Sequence, residues 1–233
     1  MSDNWKTLGG KFAEQGFEVH LIDQRNHGKS FHSQDFDYEF LSDDLSHYVN
    51  HYELGEIVLL GHSMGGKTAM QFSCSYPNTV EKLIVADIAP KFYPPHHQYI
   101  VDALSALDFA KITSRNEADK ALSAHIPEFG IRQFLLKNLY WQAQGKLGLR
   151  FHLEVLKNRM EEIGDSLGPM EHFNGKTLFL RGDRSEYIVA VDSELITKHF
   201  PKATVETVPN AGHWLHAENP SAFFTMTMDF LNR

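Results

Sequence analysis

An apolar run that ends abruptly at a serine between glycines constrains this chain more than any other stretch. Residues 56–70 read EIVLLGHSMGGKTAM, which predicts a short buried strand followed at once by a helix. The GHSMG sequence at 61–65 matches the pattern G-x-S-x-G, in which the serine occupies a sharp, strained turn from strand to helix. We expect Gly61 and Gly65 to remove side chains that would collide with the crossing strand and helix. The pattern therefore predicts that Ser63 is a nucleophile exposed at the carboxyl end of a sheet.

The bare pattern is also compatible with a loop that merely requires glycines. Three fixed residues at about 7% each give roughly 0.1 chance matches in a chain of 233 residues. Requiring a strand before the serine and a helix after it lowers that number by about tenfold. We therefore favour a nucleophile over a plain loop.

Short apolar strands alternate with helices along the chain, and none of them shows clean polar alternation. Such strands are covered on both faces, which indicates an α/β fold with a mostly parallel sheet and helices on both faces. Residues 92–172 differ, because they contain helix-like segments and no convincing strand. We therefore predict a helical cap insert at 92–172 between two parts of an α/β core, 1–91 and 173–233. The predicted strands are 17–23, 56–60, 81–89, 176–182 and 203–209. The predicted helices are 3–15, 38–52, 64–76, 109–126, 131–142, 190–199 and the segment after Pro220, and 24–36 is a predicted loop.

Charge and composition narrow the class of partner. The net charge of −8 disfavours nucleic acid, which requires a basic face on the protein. No apolar run approaches the roughly 20 residues that span a bilayer, and residues 1–12 show no secretion signal. The single cysteine, Cys74, excludes an intramolecular disulfide and is typical of a reducing compartment. We expect a cytoplasmic protein with no membrane span, and with a small molecule rather than nucleic acid as its partner.

A nucleophilic serine needs a base, and the chain holds 14 histidines. His213 follows the last predicted strand in the segment VPNAGHWLHAENP, from which it could reach over the sheet to Ser63. His216 is the local alternative. His62 flanks the nucleophile, but we expect its side chain to point away from the hydroxyl. Two further histidines near the start of the insert are expected to be solvated, His96 and His97.

The order of these motifs resembles that of the α/β-hydrolase superfamily. The motifs are a strand, GHSMGG, a helix, DIAP after the next strand, a helical insert and NAGHW near the end. DQRNHGKS, GHSMGGKTAM and AGHWLHAENP are similar to a branch of small bacterial acyl esterases that includes mitochondrial abhydrolase-domain relatives. The resemblance covers nearly the entire chain and is weakest in the insert. It implies a Ser–acid–His triad in that chain order, an acyl-enzyme, no cofactor, and the backbone N–H of Met64 as an oxyanion donor.

The motifs leave more than one candidate for the acid of the triad. In many α/β-hydrolases it lies three residues beyond a glycine after the penultimate strand, and that position here is Ser185, counted from Gly182. Asp183 is close but two residues early. Asp87 ends the strand after the nucleophile helix, an alternative acid position in the superfamily, where it could hold the Nδ1 side of His213. We predict Asp87, although a buried aspartate that fixes a turn is the plain alternative. The remaining candidates are Glu186, Glu154 or no acid.

Several side chains near the nucleophile could form an apolar pocket for an acyl group. The candidate pocket residues are His62, Phe92, Tyr93 and Trp214. Ordinary packing between core and insert explains the aromatic members of this set equally well. No cluster of residues has the spacing of a zinc site, so we predict no metal.

One part of the expected architecture has no counterpart in the sequence. The second oxyanion donor normally comes from a loop after an earlier strand, and in the family's sheet order that strand lies between 17–23 and 56–60. Neighbouring strands lie about 4.8 Å apart, so its removal leaves two rows of unpaired backbone groups. We therefore expect the N-terminal strands and the oxyanion loop to be absent. We also expect Met1 to be an internal methionine of a longer protein, with on the order of 25 residues before it.

The expected activity is the hydrolysis of carboxylic esters. The same triad would also serve an acyltransferase, or the cleavage of thioesters or activated carbon–carbon bonds. A non-catalytic binding protein on a truncated hydrolase fold is the alternative outside catalysis. The sequence gives no indication of the oligomeric state.

Overall fold

The computed structural model describes residues 1–95 and 98–233. His96 and His97, which the sequence predicts to be solvated, lie outside the described residues. The chain divides into two compact units, and the boundaries 1–91, 92–172 and 173–233 stay a prediction. The sheet unit comprises Gly10–Phe17, Asp37–Tyr93 and Asp165–Arg233, and the insert unit comprises Met1–Gly9, Glu18–Phe36 and Pro94–Gly164.

Helices and short strands alternate along most of the described chain. None of the helices in residues 1–95 and 98–233 combines the length and the apolar character needed to cross a bilayer. The strands are β1 Ile57–His62, β2 Val80–Ala86, β3 Leu139–Ala143, β4 Lys146–Leu149, β5 Lys176–Gly182 and β6 Ala203–Val208. The helices are α1 Lys6–Glu14, α2 Tyr38–His51, α3 Met64–Ser75, α4 Gln98–Ser105, α5 Arg115–Ser123, α6 Phe129–Leu136, α7 Leu153–Asn158, α8 Met160–Gly164, α9 Ser193–His199, α10 Leu215–Glu218 and α11 Pro220–Leu231, with 3₁₀ turns at Ser2–Trp5 and Ala190–Asp192.

A parallel sheet forms the centre of the sheet unit, with its strands in the order β1-β2-β5-β6. In β2 the four successive residues from Leu83 to Ala86 are fully buried. Successive side chains of a strand point to opposite faces, so both faces of β2 are covered. Strands of this kind read as continuous apolar runs, which explains why the sequence shows no polar alternation and confirms the predicted parallel sheet.

The helix that follows the serine is fixed by packing on both sides. α3 packs on β1 and β2, and α2 packs on α3. Met70 and Phe72 of α3 are buried together with Leu83, Val85 and Phe179 of the sheet. Each side chain of this kind contributes about 1.5–3 kcal/mol when it leaves water, so α3 is held firmly against the sheet.

The strand predicted at 17–23 is not formed. The sequence there has the apolar character of a strand, but the chain is irregular from Phe17 to Gln24. A strand requires a pairing partner, and no described segment forms a ladder with these residues. β1 is correspondingly an edge strand, because among the described strands only β2 pairs with it.

The insert unit contains a β-hairpin that the sequence analysis missed. A helix predicted over 131–142 ends at Leu136, and the chain from Leu139 enters β3, which pairs antiparallel with β4. The turn between the two strands includes Gly145 at φ 72°, a conformation that glycine adopts without strain. The sequence signal that could have predicted β3 is the pair Tyr140 and Trp141, because aromatic residues favour strands. The hairpin contributes to a separate apolar core of this unit, whose buried members include Leu104, Leu122, Ile126, Leu139 and Leu147.

Lys67 is a buried lysine in the first turns of α3, with 3% of its surface exposed. Its ammonium donates to the carbonyl oxygen of Lys91 at 2.7 Å and to that of Asp165, and it lies 5.0 Å from the ring centre of Tyr93. Burial lowers the pKa of Lys67 from its usual 10.5 to about 7, since the raising effect of Asp165 is outweighed. This side chain therefore ties two separate chain segments to the helix that follows the serine.

We predict that Lys67 makes the stability of the fold depend on pH in the alkaline range. Between about pH 7 and pH 10.5 the unfolded chain binds a proton at this lysine that the folded chain does not, so the free energy of unfolding rises with pH. The slope from one such group is at most about 1.4 kcal/mol per pH unit. Urea unfolding of wild type and Lys67→Met at several pH values should show a shallower slope in the variant. Lys198→Met, which removes an exposed lysine, controls for net charge, and an unchanged slope in Lys67→Met would contradict the prediction.

Candidate active site

The turn between β1 and α3 holds Ser63 in a strained conformation. Its backbone angles are φ 54° and ψ −123°, and residues with side chains rarely adopt a positive φ. The Ser63 N–H donates to the carbonyl oxygen of Ala86 at 3.0 Å, so the β1–β2 ladder continues one residue beyond β1. α3 begins at Met64, and the serine therefore lies on the predicted turn from strand to helix.

Two glycines allow the backbone segments of this turn to approach each other. A Cβ atom on Gly61 would lie 2.1 Å from the carbonyl oxygen of Gly65, which confirms the prediction for Gly61. The prediction for Gly65 is wrong, because a Cβ atom there would meet nothing within 4 Å. Gly66 has the crowded position instead, since a Cβ atom on it would lie 2.6 Å from Cγ2 of Ile88.

The structure brings the side chains of Ser63, His213 and Asp87 into one hydrogen-bonded row. Nε2 of His213 lies 3.1 Å from Oγ of Ser63, and Nδ1 of His213 lies 2.8 Å from Oδ2 of Asp87. A carboxylate only accepts hydrogen bonds, so Nδ1 carries the proton and donates it. Nε2 is then left to accept the hydroxyl proton of Ser63, which is the arrangement a general base requires.

Asp87 is fully buried, and donors surround its carboxylate. Oδ1 accepts from the backbone N–H of Gly182 at 3.0 Å, and Oδ2 accepts from the hydroxyl of Ser185 as well as from His213. The Asp87 N–H donates to the carbonyl oxygen of Leu180 at 2.8 Å, and its φ is 51°. A buried charge is tolerated only when it is bonded in this way, so the site holds the aspartate in one orientation.

The three side chains reach one another because each follows a strand of the parallel sheet. Ser63 follows β1, Asp87 follows β2, and His213 lies in the segment between β6 and α10. The carboxyl ends of parallel strands meet at one edge of a sheet, which is where open α/β folds bind ligands. The site is therefore a direct product of the strand order.

The alternative acids lie elsewhere or have other partners. Asp183 is exposed, and it accepts hydrogen bonds from the N–H groups of Asn210 at 2.8 Å and Ala211 at 2.9 Å. These two bonds lower the pKa of the Asp183 carboxyl. Glu186 is exposed in the segment after β5, and Glu154 lies in α7 of the insert unit. The geometry therefore favours Asp87 as the partner of the imidazole.

The side chain of His62 contacts the backbone of His213, the candidate base. Nε2 of His62 lies 2.7 Å from the carbonyl oxygen of His213, and the rings of these two histidines lie 4.7 Å apart. The ring of His216 lies 4.6 Å from that of His62 on the α10 side. Burial and these two neighbouring imidazoles hold the pKa of His62 well below its usual value.

Aromatic rings surround the imidazole of His213. Tyr187 stacks on it with ring centres 3.9 Å apart and an angle of 18° between the planes, a contact that the sequence analysis missed. Trp214 lies 6.1 Å from it by ring centres. The hydroxyl of Tyr93 accepts from the N–H of Ala89 at 2.9 Å and donates to the carbonyl oxygen of Tyr187 at 2.5 Å.

Of the candidate pocket residues, Tyr93 therefore supports the ring that covers His213, and His62 bonds to the base. Phe92 is half exposed. The only available signal for Tyr187 was an aromatic residue soon after β5. The role of the four predicted residues as pocket lining, His62, Phe92, Tyr93 and Trp214, stays a prediction.

The amino end of α3 could stabilise an oxyanion beside Ser63. Met64 is the first residue of α3, and the first four N–H groups of a helix have no acceptor within the helix. The amino end of the helix also carries partial positive charge, which favours an anion there.

Within residues 1–95 and 98–233, no group of three or more His, Cys, Asp and Glu side chains is placed to hold a metal ion.

Known proteins share both the sequence and the fold. The sequence profile described as alpha/beta hydrolase fold matches residues 1–123. The sn-1-specific diacylglycerol lipase ABHD11 of Mus musculus is 40% identical over 98% of this chain and 76% of its own length. Esterase YbfF of Escherichia coli is 29% identical over 91% of this chain and 81% of its own length.

A solved structure described as a marine microorganism esterase superposes with a TM-score of 0.94 at 38% identity, and the match covers 98% of this chain and 90% of that one. The similarity thus extends across both units of the chain rather than over the sheet alone. It confirms the predicted resemblance to the esterase branch. The chain therefore belongs to the alpha/beta hydrolase fold family, and it is an enzyme of the esterase and lipase type.

Proposed function

We propose that this enzyme cleaves carboxylic esters through a covalent acyl-enzyme on Ser63. His213 is the general base and Asp87 is the acid that orients it. The observation that carries the proposal is the unbroken row of hydrogen bonds from Ser63 Oγ through the imidazole to the buried carboxylate. A serine hydroxyl is a poor nucleophile alone, and this row supplies the base that it needs.

The first half of the reaction forms the acyl-enzyme. Oγ of Ser63 bonds to the acyl carbon of the ester while its proton passes to Nε2 of His213. Asp87 stabilises the imidazolium, because its fully buried carboxylate accepts the hydrogen bond from Nδ1. The bond from the acyl carbon to the alcohol oxygen then breaks, and the leaving alcohol takes the proton from Nε2.

The second half returns the enzyme to its starting state. Nε2 of His213 takes a proton from water while the water oxygen bonds to the acyl carbon. The bond from that carbon to Oγ of Ser63 then breaks, and Oγ recovers the proton from Nε2. The products are a carboxylic acid and an alcohol, and the row of hydrogen bonds is restored with no cofactor consumed.

Negative charge develops on the former carbonyl oxygen in both halves. The N–H of Met64 and the amino end of α3 supply a donor and partial positive charge directly beside Ser63. We assign Met64 as an oxyanion donor on this basis.

The proposal places the enzyme in a reducing compartment such as the cytoplasm. Its support is the single cysteine, Cys74, which is half-buried in α3. Burial, with a smaller effect of Glu171, raises the pKa of the Cys74 thiol to about 12, so this thiol is a weak nucleophile.

We predict that Ser63→Ala and His213→Ala each lower ester turnover by a factor on the order of 10³ or more, because each removes the attacking atom or its base. Turnover is measured with p-nitrophenyl esters, and a fluorophosphonate probe reports the reactive serine. Ser166→Ala and His172→Ala, which change an exposed serine and an exposed histidine, serve as matched controls. Labelling that survives Ser63→Ala, or turnover that survives His213→Ala, would refute the assignment.

We predict that Asp87→Asn lowers turnover by a factor on the order of 10³, because the amide no longer holds the Nδ1 proton of His213. Asp183→Asn is the matched comparison, since Asp183 holds the backbone of Asn210 and Ala211 instead. That variant should lose far less turnover than Asp87→Asn, because Asp183 contacts only the backbone before His213, and it should also lose thermal stability. Steady-state kinetics together with thermal unfolding of both variants distinguish the two aspartates, and equal kinetic losses would contradict the choice of Asp87.

We predict that the ester substrates include the sn-1 ester of diacylglycerol. The support is the mouse relative, which is named for that specificity and is 40% identical over 98% of this chain. A diacylglycerol with different fatty acids at the two positions identifies the bond cleaved, when the released acid is measured by mass spectrometry. Release of the sn-1 acid by wild type and not by Ser63→Ala is expected. An enzyme that cleaves p-nitrophenyl esters but releases no sn-1 acid would exclude this substrate.

A further inference from the structure

We propose that His62 is a positioning residue that holds the base by its backbone. The inference rests on the proposed function, because it assigns His62 a role only through His213. His62 is the last residue of β1 and is bonded covalently to Ser63. Its Nε2 lies 2.7 Å from the carbonyl oxygen of His213. The strand that ends at the nucleophile thus also holds the segment that carries the base.

The direction of this hydrogen bond fixes the state of the His62 ring. A carbonyl oxygen only accepts, so Nε2 of His62 carries a proton and donates it. The ring is neutral near pH 7, because burial and the neighbouring imidazoles of His213 and His216 oppose a positive charge on it. A neutral donor holds the base without adding a positive charge beside the imidazolium that forms on His213 during turnover.

The bond matters because His213 lies in a segment without helix or strand of its own. The residues just before it are held from the other side, since Ala211 donates to Asp183 at 2.9 Å and Gly212 donates to Glu218 at 2.9 Å. The His62 bond joins the backbone of this segment to the strand of the nucleophile, whereas the bond to Asp87 and the stack on Tyr187 hold the His213 ring. The distance from Nε2 of His213 to Oγ of Ser63 therefore depends on the His62 bond as well as on the contacts of the ring.

The same geometry argues against a second role for His62, that of the base. Its Nε2 proton is donated to the backbone of His213, so this nitrogen is not placed to accept a proton from the hydroxyl of Ser63. Its ring lies 4.7 Å from that of His213 and 4.6 Å from that of His216. A base is less consistent with the hydrogen bond to His213 than a positioning residue.

The test compares one substitution of His62 that removes the hydrogen-bond donor with one that keeps a donor. His62→Leu fills space without an N–H, and His62→Gln keeps an amide N–H at the end of a side chain of similar reach. We expect His62→Leu to lower kcat about 10²-fold with little change in KM, because the loss is one of alignment rather than of substrate binding. The rate of fluorophosphonate labelling at Ser63 should fall in parallel, and His62→Gln should recover to within about tenfold of wild type.

A double-mutant cycle separates positioning from a merely structural role. If His62 acts through the base, His62→Leu has no further effect on the residual rate of His213→Ala. His172→Leu, at an exposed histidine, is the control for substitution, and the circular dichroism and thermal unfolding of each variant correct its rate for the folded fraction. Wild-type kcat in His62→Leu, or an equal loss in the His213→Ala background, would overturn the inference while leaving the triad intact. Full activity of His213→Ala would instead overturn the proposed function.

Discussion

Two backbone hydrogen bonds just beyond the strand ends hold the rest of the site in place. Ser63 donates to Ala86 and Asp87 donates to Leu180, so two ladders of the sheet each run one residue further than the strand. Both donors have positive φ values, which turn the chain away from the sheet directly after the bond. Because the parallel strands end at one edge, the hydroxyl, imidazole and carboxylate reach each other without long side chains. The geometry of the site therefore follows from the register of the sheet.

Local patterns in the sequence predicted most of the sheet unit. The strand and helix on either side of Ser63 are where the GHSMG motif places them, and four of the five predicted strands are formed. These features depend on neighbours along the chain, such as apolar runs and glycines, which a single sequence displays. The structure also brings the predicted Ser63, His213 and Asp87 together, and their catalytic roles stay proposals.

Apart from the β3–β4 hairpin, the features that escaped prediction depend on contacts between distant residues. Residues 17–23 have the composition of a strand, but composition does not supply a pairing partner. The crowded glycine is Gly66 rather than Gly65, because the obstacle to a side chain is Ile88, which no local pattern relates to the turn. The stacking of Tyr187 on His213 likewise joins segments that only the folded sheet brings together.

Under the proposed roles of the three site residues, their spacing along the chain affects when catalytic competence arises during folding. Positions 63, 87 and 213 follow three different strands, so no single hairpin or helix contains two members of the row. Pairing of parallel strands across such separations is slower than the formation of local helices. Recovery of ester cleavage after dilution from denaturant would thus mark the completed sheet, whereas a helical signal would precede it. Under the proposed mechanism, recovered activity therefore reports that the long-range contacts of this row of hydrogen bonds have formed.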